Sequence, residues 1–169
     1  MLIEFRTLKT EKLSKKKILQ ICKLKDVHWK FGLQNQISWF NKNIKKNDLH
    51  NLFYIKKDLA GYTSLRKGYY NYSKNKKKNF LLFDTLILNP KYRKKGMGNL
   101  MMRYNNFIIT KEKKPSFLVC KKNLVKFYRL NNWRVLPKNK YETMYKSFNL
   151  NAMTFELNKI KTKIYLNLY

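Results

Sequence analysis

Apolar and polar residues alternate from Leu2 to Leu8, which is the period of a strand. From Glu11 to Lys25 the period lengthens, and Ile18, Ile21 and Cys22 fall on one face of a predicted helix. A break containing His28, Trp29 and Gly32 follows, and then Leu33, Ile37, Phe40 and Ile44 repeat at helical spacing. Leu52 to Lys56 and Ala60 to Arg66 read as a hairpin around Lys57-Asp58. Gly68 to Asn79 is rich in tyrosine and lysine and reads as an exposed loop. Phe80 to Leu88 is the most apolar segment and is expected to be a central strand. Met97 to Thr110 carries Leu100, Met101, Tyr104, Phe107 and Ile108 on one helical face, and Ser116 to Cys120 forms a buried strand after Pro115. A short helix presents Leu124, Phe127 and Tyr128 together. Asn131 and Asn132 end it, because Asn tolerates the left-handed conformation, and Trp133 and Val135 then alternate as in a strand. Pro137 to Leu150 looks irregular, and Ala152 to Leu157 is another strand. Ile160, Ile164, Leu166 and Leu168 alternate weakly, as an edge strand or an oligomer contact would.

The length of 169 residues fits one domain, and a hydrophobic share of 44% is ample for a core. No run approaches the roughly 20 apolar residues of a membrane span. Met1 to Arg6 lacks the layout of a secretory signal. Cys22 and Cys120 are too few for a disulfide framework and lack metal-ligand spacing; with only two histidines besides, a metal site is not expected, and a reducing cytoplasm fits best.

Charge changes the picture more. Thirty-nine basic residues stand against nine acidic ones, a net +30. The excess of lysine, with plentiful Asn, Ile and Tyr, is what an AT-rich gene encodes, but such bias does not obviously remove acids. The field would concentrate anionic ligands such as nucleotide-sugars, nucleic acid or acidic polymers, and would give salt-sensitive, nonspecific nucleic-acid binding. Lys56, Lys57 and Lys74 to Lys78 are candidate phosphate contacts for a non-catalytic binding module, yet no helix-turn-helix, zinc or RNP pattern accompanies them.

Chemistry concentrates between Leu86 and Gly98, which read Leu-Ile-Leu-Asn-Pro-Lys-Tyr-Arg-Lys-Lys-Gly-Met-Gly. An apolar strand runs into a Pro-broken turn, then a basic loop with two glycines, then a helix. Gly96 and Gly98 let the backbone approach a ligand without Cβ obstruction. The free N–H groups of the first helical turn, about Lys94 to Asn99, point at the same spot as the charges of Arg93, Lys94 and Lys95. A dinucleotide loop would need a third glycine where Met101 stands, and the Gly-Lys-Ser/Thr of a nucleotide-triphosphate loop is absent.

Arg93-x-x-Gly96-x-Gly98 between strand and helix, joined downstream by Phe127-Tyr128-x-x-x-Asn132-Trp133, resembles the GCN5-related N-acetyltransferase (GNAT) superfamily, whose second motif usually reads Phe-Tyr-x-x-x-Gly-Phe. Asn for Gly and Trp for Phe keep the roles of cap and aromatic plug. The resemblance covers about residues 2 to 157, and specific motifs lie only between 80 and 135. It implies a single-domain α/β (α+β) fold of residues 1–157, with a mixed, mostly antiparallel sheet splayed at the cofactor strand and flanked by about four helices. Residues 158–169 would be an extension.

By this resemblance the co-substrate is acetyl-CoA. Leu86, Ile87 and Leu88 would line it along the strand, and Arg93, Lys94, Lys95, Gly96, Met97, Gly98 and Asn99 would hold its diphosphate. Asn123 either touches it or caps the following helix. Tyr128 stands where the family keeps the acid for the departing thiolate. Asp84 interrupts an apolar strand, where a carboxylate is costly unless paired or working. It is either the base for the amine or a structural Asp, with Glu142 and a water chain as fallback bases. The Leu88 amide would oppose the oxyanion. Cys120, in an apolar strand end, is not proposed as a nucleophile. In the family the acceptor is chosen by the first two helices and a late loop, here Asp26 to Phe40 and Lys138 to Phe148. The rings of His28, Trp29, Phe31, Trp39 and Phe40 suit a sugar, and lysines suit a nucleotide diphosphate. An amino-sugar or nucleotide-linked amino-sugar is therefore the expected acceptor. A protein N-terminus or lysine is the rival, and a homodimer is open.

Overall fold

The computed structural model describes residues 2–73, 76–143, 150–157 and 163–168. They form β1 (Ile3–Lys9), α1 (Lys15–Trp29), α2 (Leu33–Asn43), β2 (Leu49–Ile55), β3 (Asp58–Ser73), β4 (Lys76–Leu88), α3 (Met97–Lys111), β5 (Ser116–Cys120), α4 (Val125–Arg129), β6 (Arg134–Val135), β7 (Tyr141–Thr143), β8 (Asn151–Phe155) and β9 (Ile164–Leu168). The strands pair in the order β1-β2-β3-β4-β5-β8-β6, and β9 bonds to β3 and β7. The β4–β5 and β7–β9 ladders are parallel; β1–β2, β2–β3, β3–β9, β5–β8 and β6–β8 are antiparallel. By its contacts the chain divides into two units.

The first unit comprises 1–66 and 84–105. The first helix begins at Lys15 rather than Glu11, because Ser14 caps it with a bond from the Lys17 N–H, while Thr10–Lys12 make a 3-10 turn. It also runs further than the sequence pattern implied. His28 and Trp29 lie in its last turn, and the break comes only at Lys30, which is left-handed at φ 43°. Asp26 fixes that end by accepting the Gly32 N–H at 2.8 Å. Ile21, Cys22, Leu24, Phe40, Leu52, Tyr62 and Ile87 form one core cluster, and Phe53, Ile55, Ala60 and Met101 another. Gly61 allows the closest approach: a Cβ there would lie 2.5 Å from the Met101 sulfur.

The second unit comprises 67–83 and 106–169. Here the expected loop from Gly68 to Asn79 is overturned. Strand β3 continues to Ser73 and β4 starts at Lys76; Lys74 and Asn75 lie outside the described residues. Burial alternates through Arg66, Lys67, Gly68, Tyr69 and Tyr70 with the strand period. Tyr70 packs edge-on to Phe117, and Gly68 has no room for a Cβ, since the Phe80 ring and the Asn167 carbonyl fill that space. The chain end supplies the reason: Gly68 to Asn71 pair with Leu168 to Tyr165. Strand β9 is therefore bonded on both sides, and Tyr141–Thr143, expected to be irregular, is its other partner. The remainder of the expected late loop, 144–149, lies outside the described residues, as do 158–162 and Tyr169 of the C-terminal segment.

Candidate active site

Strand β4 leads to the basic loop through a distortion. Thr85 has φ 63°, a left-handed conformation that a β-branched residue adopts only under constraint. After it Ile87 is buried and Leu86 and Leu88 are half-buried. The Asn89 side chain accepts the Lys91 N–H at 3.1 Å, and the Arg93 Nε–H donates to the Leu88 carbonyl at 3.0 Å. Lys94 (φ 60°) and Gly96 (φ 71°) then turn the chain into α3. The first bond of that helix runs from the Leu100 N–H to the Gly96 carbonyl. The amides of Met97 and Gly98 thus lack acceptors within the helix. Among the described residues nothing lies within 4 Å of a Cβ built on Gly96, so its backbone faces open space there. Arg93, Lys94, Lys95, Gly96 and Asn99 are exposed, and no acid occurs between Asp84 and Glu112. Amides without acceptors in their own helix, open space and exposed cations that form no ion pair among the described residues together suit a phosphate-bearing ligand.

Asp84, at the start of the distorted stretch, has a counter-ion that the sequence did not reveal. Its Oδ2 accepts from Arg66 Nη1 at 3.2 Å, and Arg66 Nη2 donates to the Asn43 carbonyl at 2.9 Å. The Arg66 side chain is 9% exposed and that of Asp84 26%. Among the described residues Oδ1 of Asp84 accepts no hydrogen bond. Lys25 is also buried, and its ammonium sits 3.8 Å from the centre of the Trp39 ring. Burial pushes its pKa below the usual lysine range, and Asp84 partly opposes that. Trp39, half-buried, is thus the floor of a charged cluster rather than only a core residue. His50 is a second buried base: Tyr62 Oη and Thr10 Oγ1 each lie 2.8 Å from its ring nitrogens, and burial lowers its pKa to about 4.

Tyr128, in the second unit, is 8% exposed in α4. Its ring meets Phe83, Phe127 and Trp133 at centroid distances of 6.2, 5.2 and 6.2 Å. Its hydroxyl forms no hydrogen bond with another residue among the described ones. Burial raises its pKa, so the group keeps its proton at neutral pH. The helix ends as the motif implied: Asn132 is left-handed at φ 69°, and Trp133 is a buried plug whose Nε1–H donates to Asn106. Asn123 lies exposed in the 3-10 turn before α4, which has no side-chain cap, so its expected capping role is corrected. Cys120 is buried with its thiol pKa pushed up by burial, and Glu142 pairs with Lys163 at 2.5 Å.

The expected acceptor residues are only partly gathered. His28 and Trp29 touch edge to face at 4.8 Å, and Phe31 is 65% exposed in the turn before α2. Sequence reasoning missed Lys25, Arg66, Thr85 and His50. A single buried cation has no signature in a chain with thirty-nine basic residues.

No family model matches the sequence, and no curated protein does. Solved structures do match the fold. Escherichia coli ElaA aligns at a TM-score of 0.67 and 16% identity, over 90% of this chain and 99% of that one. An aminoglycoside 6'-N-acetyltransferase complexed with coenzyme A aligns at 0.63 and 11% identity, over 94% and 99%. The N-acetyltransferase YlbP of Bacillus subtilis, in complex with coenzyme A, aligns at 0.59 and 16%, over 91% and 96%. Among the described residues the element order, the open and mostly antiparallel sheet and the four α-helices are those of the GNAT N-acetyltransferase fold.

Proposed function

We propose that this protein is an N-acetyltransferase that moves an acetyl group from acetyl-CoA to a primary amine by direct attack. The observation that carries the reading is the loop from Arg93 to Asn99, where left-handed Lys94 and Gly96 lead exposed cations into α3, at whose start the Met97 and Gly98 amides have no acceptor within the helix. Its support is the likeness to folds that bind coenzyme A. Acetyl-CoA supplies the acetyl group as an activated thioester. Arg93, Lys94 and Lys95 and the amides from Lys95 to Asn99 would hold the diphosphate, with Leu86 and Ile87 along the chain of the co-substrate and Asn123 at its margin.

Alkyl ammonium ions hold their proton at neutral pH. Oδ1 of Asp84, the oxygen that Arg66 leaves open, takes that proton directly or through water. The freed nitrogen bonds to the carbonyl carbon, the carbon–sulfur bond breaks, and the nitrogen releases its second proton to solvent water to leave the neutral amide. The Leu88 N–H opposes charge developing on the carbonyl oxygen. Tyr128 gives its proton to the leaving sulfur and regains one from solvent. The acceptor we propose is an amino-sugar or nucleotide-linked amino-sugar, bordered by His28, Trp29, Phe31 and Trp39. Thiol release from acetyl-CoA, measured against a panel of amines, tests the reading. Tyr128→Phe should slow turnover by about a hundredfold or more while acetyl-CoA still raises the melting temperature. Turnover equal to that of the native protein would remove Tyr128 from the mechanism.

A further inference from the structure

The cluster around Trp39 has more donors than acceptors. Lys25 and Arg66, on α1 and β3, are 6% and 7% exposed, and among the described residues the only carboxylate paired with either is Asp84. Lys25 has no ion pair of its own among the described residues; its ammonium rests on the Trp39 face, and the Arg66 guanidinium lies 5.6 Å from the same ring. Arg66 uses Nη1 and Nη2 on Asp84 and Asn43, but its Nε–H has no partner among the described residues. Gln36, one turn before Trp39 on α2 and 3% exposed, likewise has an Nε2 without a partner among the described residues. Buried donors are rarely left unmade, since each costs about 1–3 kcal/mol. A buried cation without a counter-ion costs more. Helix α1 and strand β3 have thus brought two cations and one orphaned donor to a single aromatic ring, beside a carboxylate whose second oxygen accepts no hydrogen bond among the described residues, and α2, which supplies the ring, buries another orphaned donor one turn away.

We infer that this cluster reads the acceptor, and that the acceptor carries an anionic group a few bonds from its amine. The anion, a carboxylate or a phosphate, docks on Lys25 and the open donors of Arg66 and Gln36, and Trp39 walls the site. The ammonium goes to Oδ1 of Asp84. Opposite charges on one small molecule thereby meet opposite charges on the protein, and a plain amine would leave Lys25 uncompensated. Lys25 is then a specificity-determining residue. The inference rests on the acetyl-transfer reading and narrows its acceptor.

Matched pairs of acceptors test it with the full chain. Lysine is compared with cadaverine, which lacks only the carboxylate, and glucosamine 6-phosphate with glucosamine. In at least one pair the anionic member should have kcat/KM higher by roughly 10–100-fold, the worth of one charge-assisted contact. Which pair responds tells carboxylate from phosphate. In Lys25→Met that ratio should collapse to within about twofold, with the KM for acetyl-CoA unchanged, and Lys25→Arg should restore part of it. Should Lys25→Met fail to fold, the ratios in the native protein and in Gln36→Leu carry the same decision. Equal use of both members in both pairs, with thiol still released, would overturn the inference; the orphaned donors would then be bridged by buried water. Absence of any acetyl-CoA binding would instead sink the acetyl-transfer reading itself.

Discussion

Two basic regions of this chain use the same residue types in opposite ways. In the loop from Arg93 to Asn99 the cations are exposed, unopposed by any nearby acid in the sequence, and set beside backbone amides. Around Trp39 the cations are buried and lie against an aromatic face, and Arg66 is paired with a carboxylate. Exposed charge is screened and contributes little to stability, but it draws anions from solution. Buried charge is tied to specific partners, so removing one strands the other. Lysine and arginine counts alone therefore say nothing about which role a given side chain has; burial decides it.

The largest effect should come from breaking the buried cluster. Arg66→Leu leaves Asp84 without its counter-ion and frees the Asn43 carbonyl, and should cost about 3 kcal/mol in urea denaturation. The half-exposed carboxylate keeps the cost from being higher. A loss below that of an ordinary surface substitution would mean the cluster is solvated and the contrast false.

His50 sharpens the same contrast through pH. Burial lowers its pKa to about 4 in the folded chain, from an ordinary 6.5. Between those values the unfolded chain binds the proton and the folded chain does not, so stability falls as pH drops from 6.5 toward 4. The cost should reach about 2 kcal/mol by pH 4.5, and His50→Gln should flatten that part of the profile. If the profile keeps its slope in the variant, carboxylates govern it instead. The smallest effect on stability belongs to the loop: Lys94→Gln with Lys95→Gln should change it by less than about 0.5 kcal/mol. The same pair should weaken acetyl-CoA binding by about tenfold at low salt, and by less at high salt.

The legible parts of this protein are those where a local backbone requirement singles out a residue. Gly96 sits where φ is 71° and Asn132 where φ is 69°; both positions were readable because few residues tolerate that conformation. Most of the element order followed from apolar periodicity, since each strand and helix buries one face. What the sequence hid was settled by distant contacts. Gly68 to Ser73 has the composition of a loop, but β9, nearly a hundred residues later, holds Gly68 to Asn71 in the sheet. Thr85 takes a left-handed φ that nothing in its side chain favours. Lys25 and Arg66 look like any of the other basic residues until α1, α2 and β3 bring them to Trp39.

The most direct test of the central claim compares two donors by calorimetry at one salt concentration. Acetyl-CoA and S-acetylpantetheine share the thioester, but only the first has the diphosphate that the Arg93-to-Asn99 loop is held to grip. One acetyl-CoA should bind per chain, at least about a hundredfold more tightly than the shorter donor. Equal affinity for the two, or no binding of either, would contradict the account.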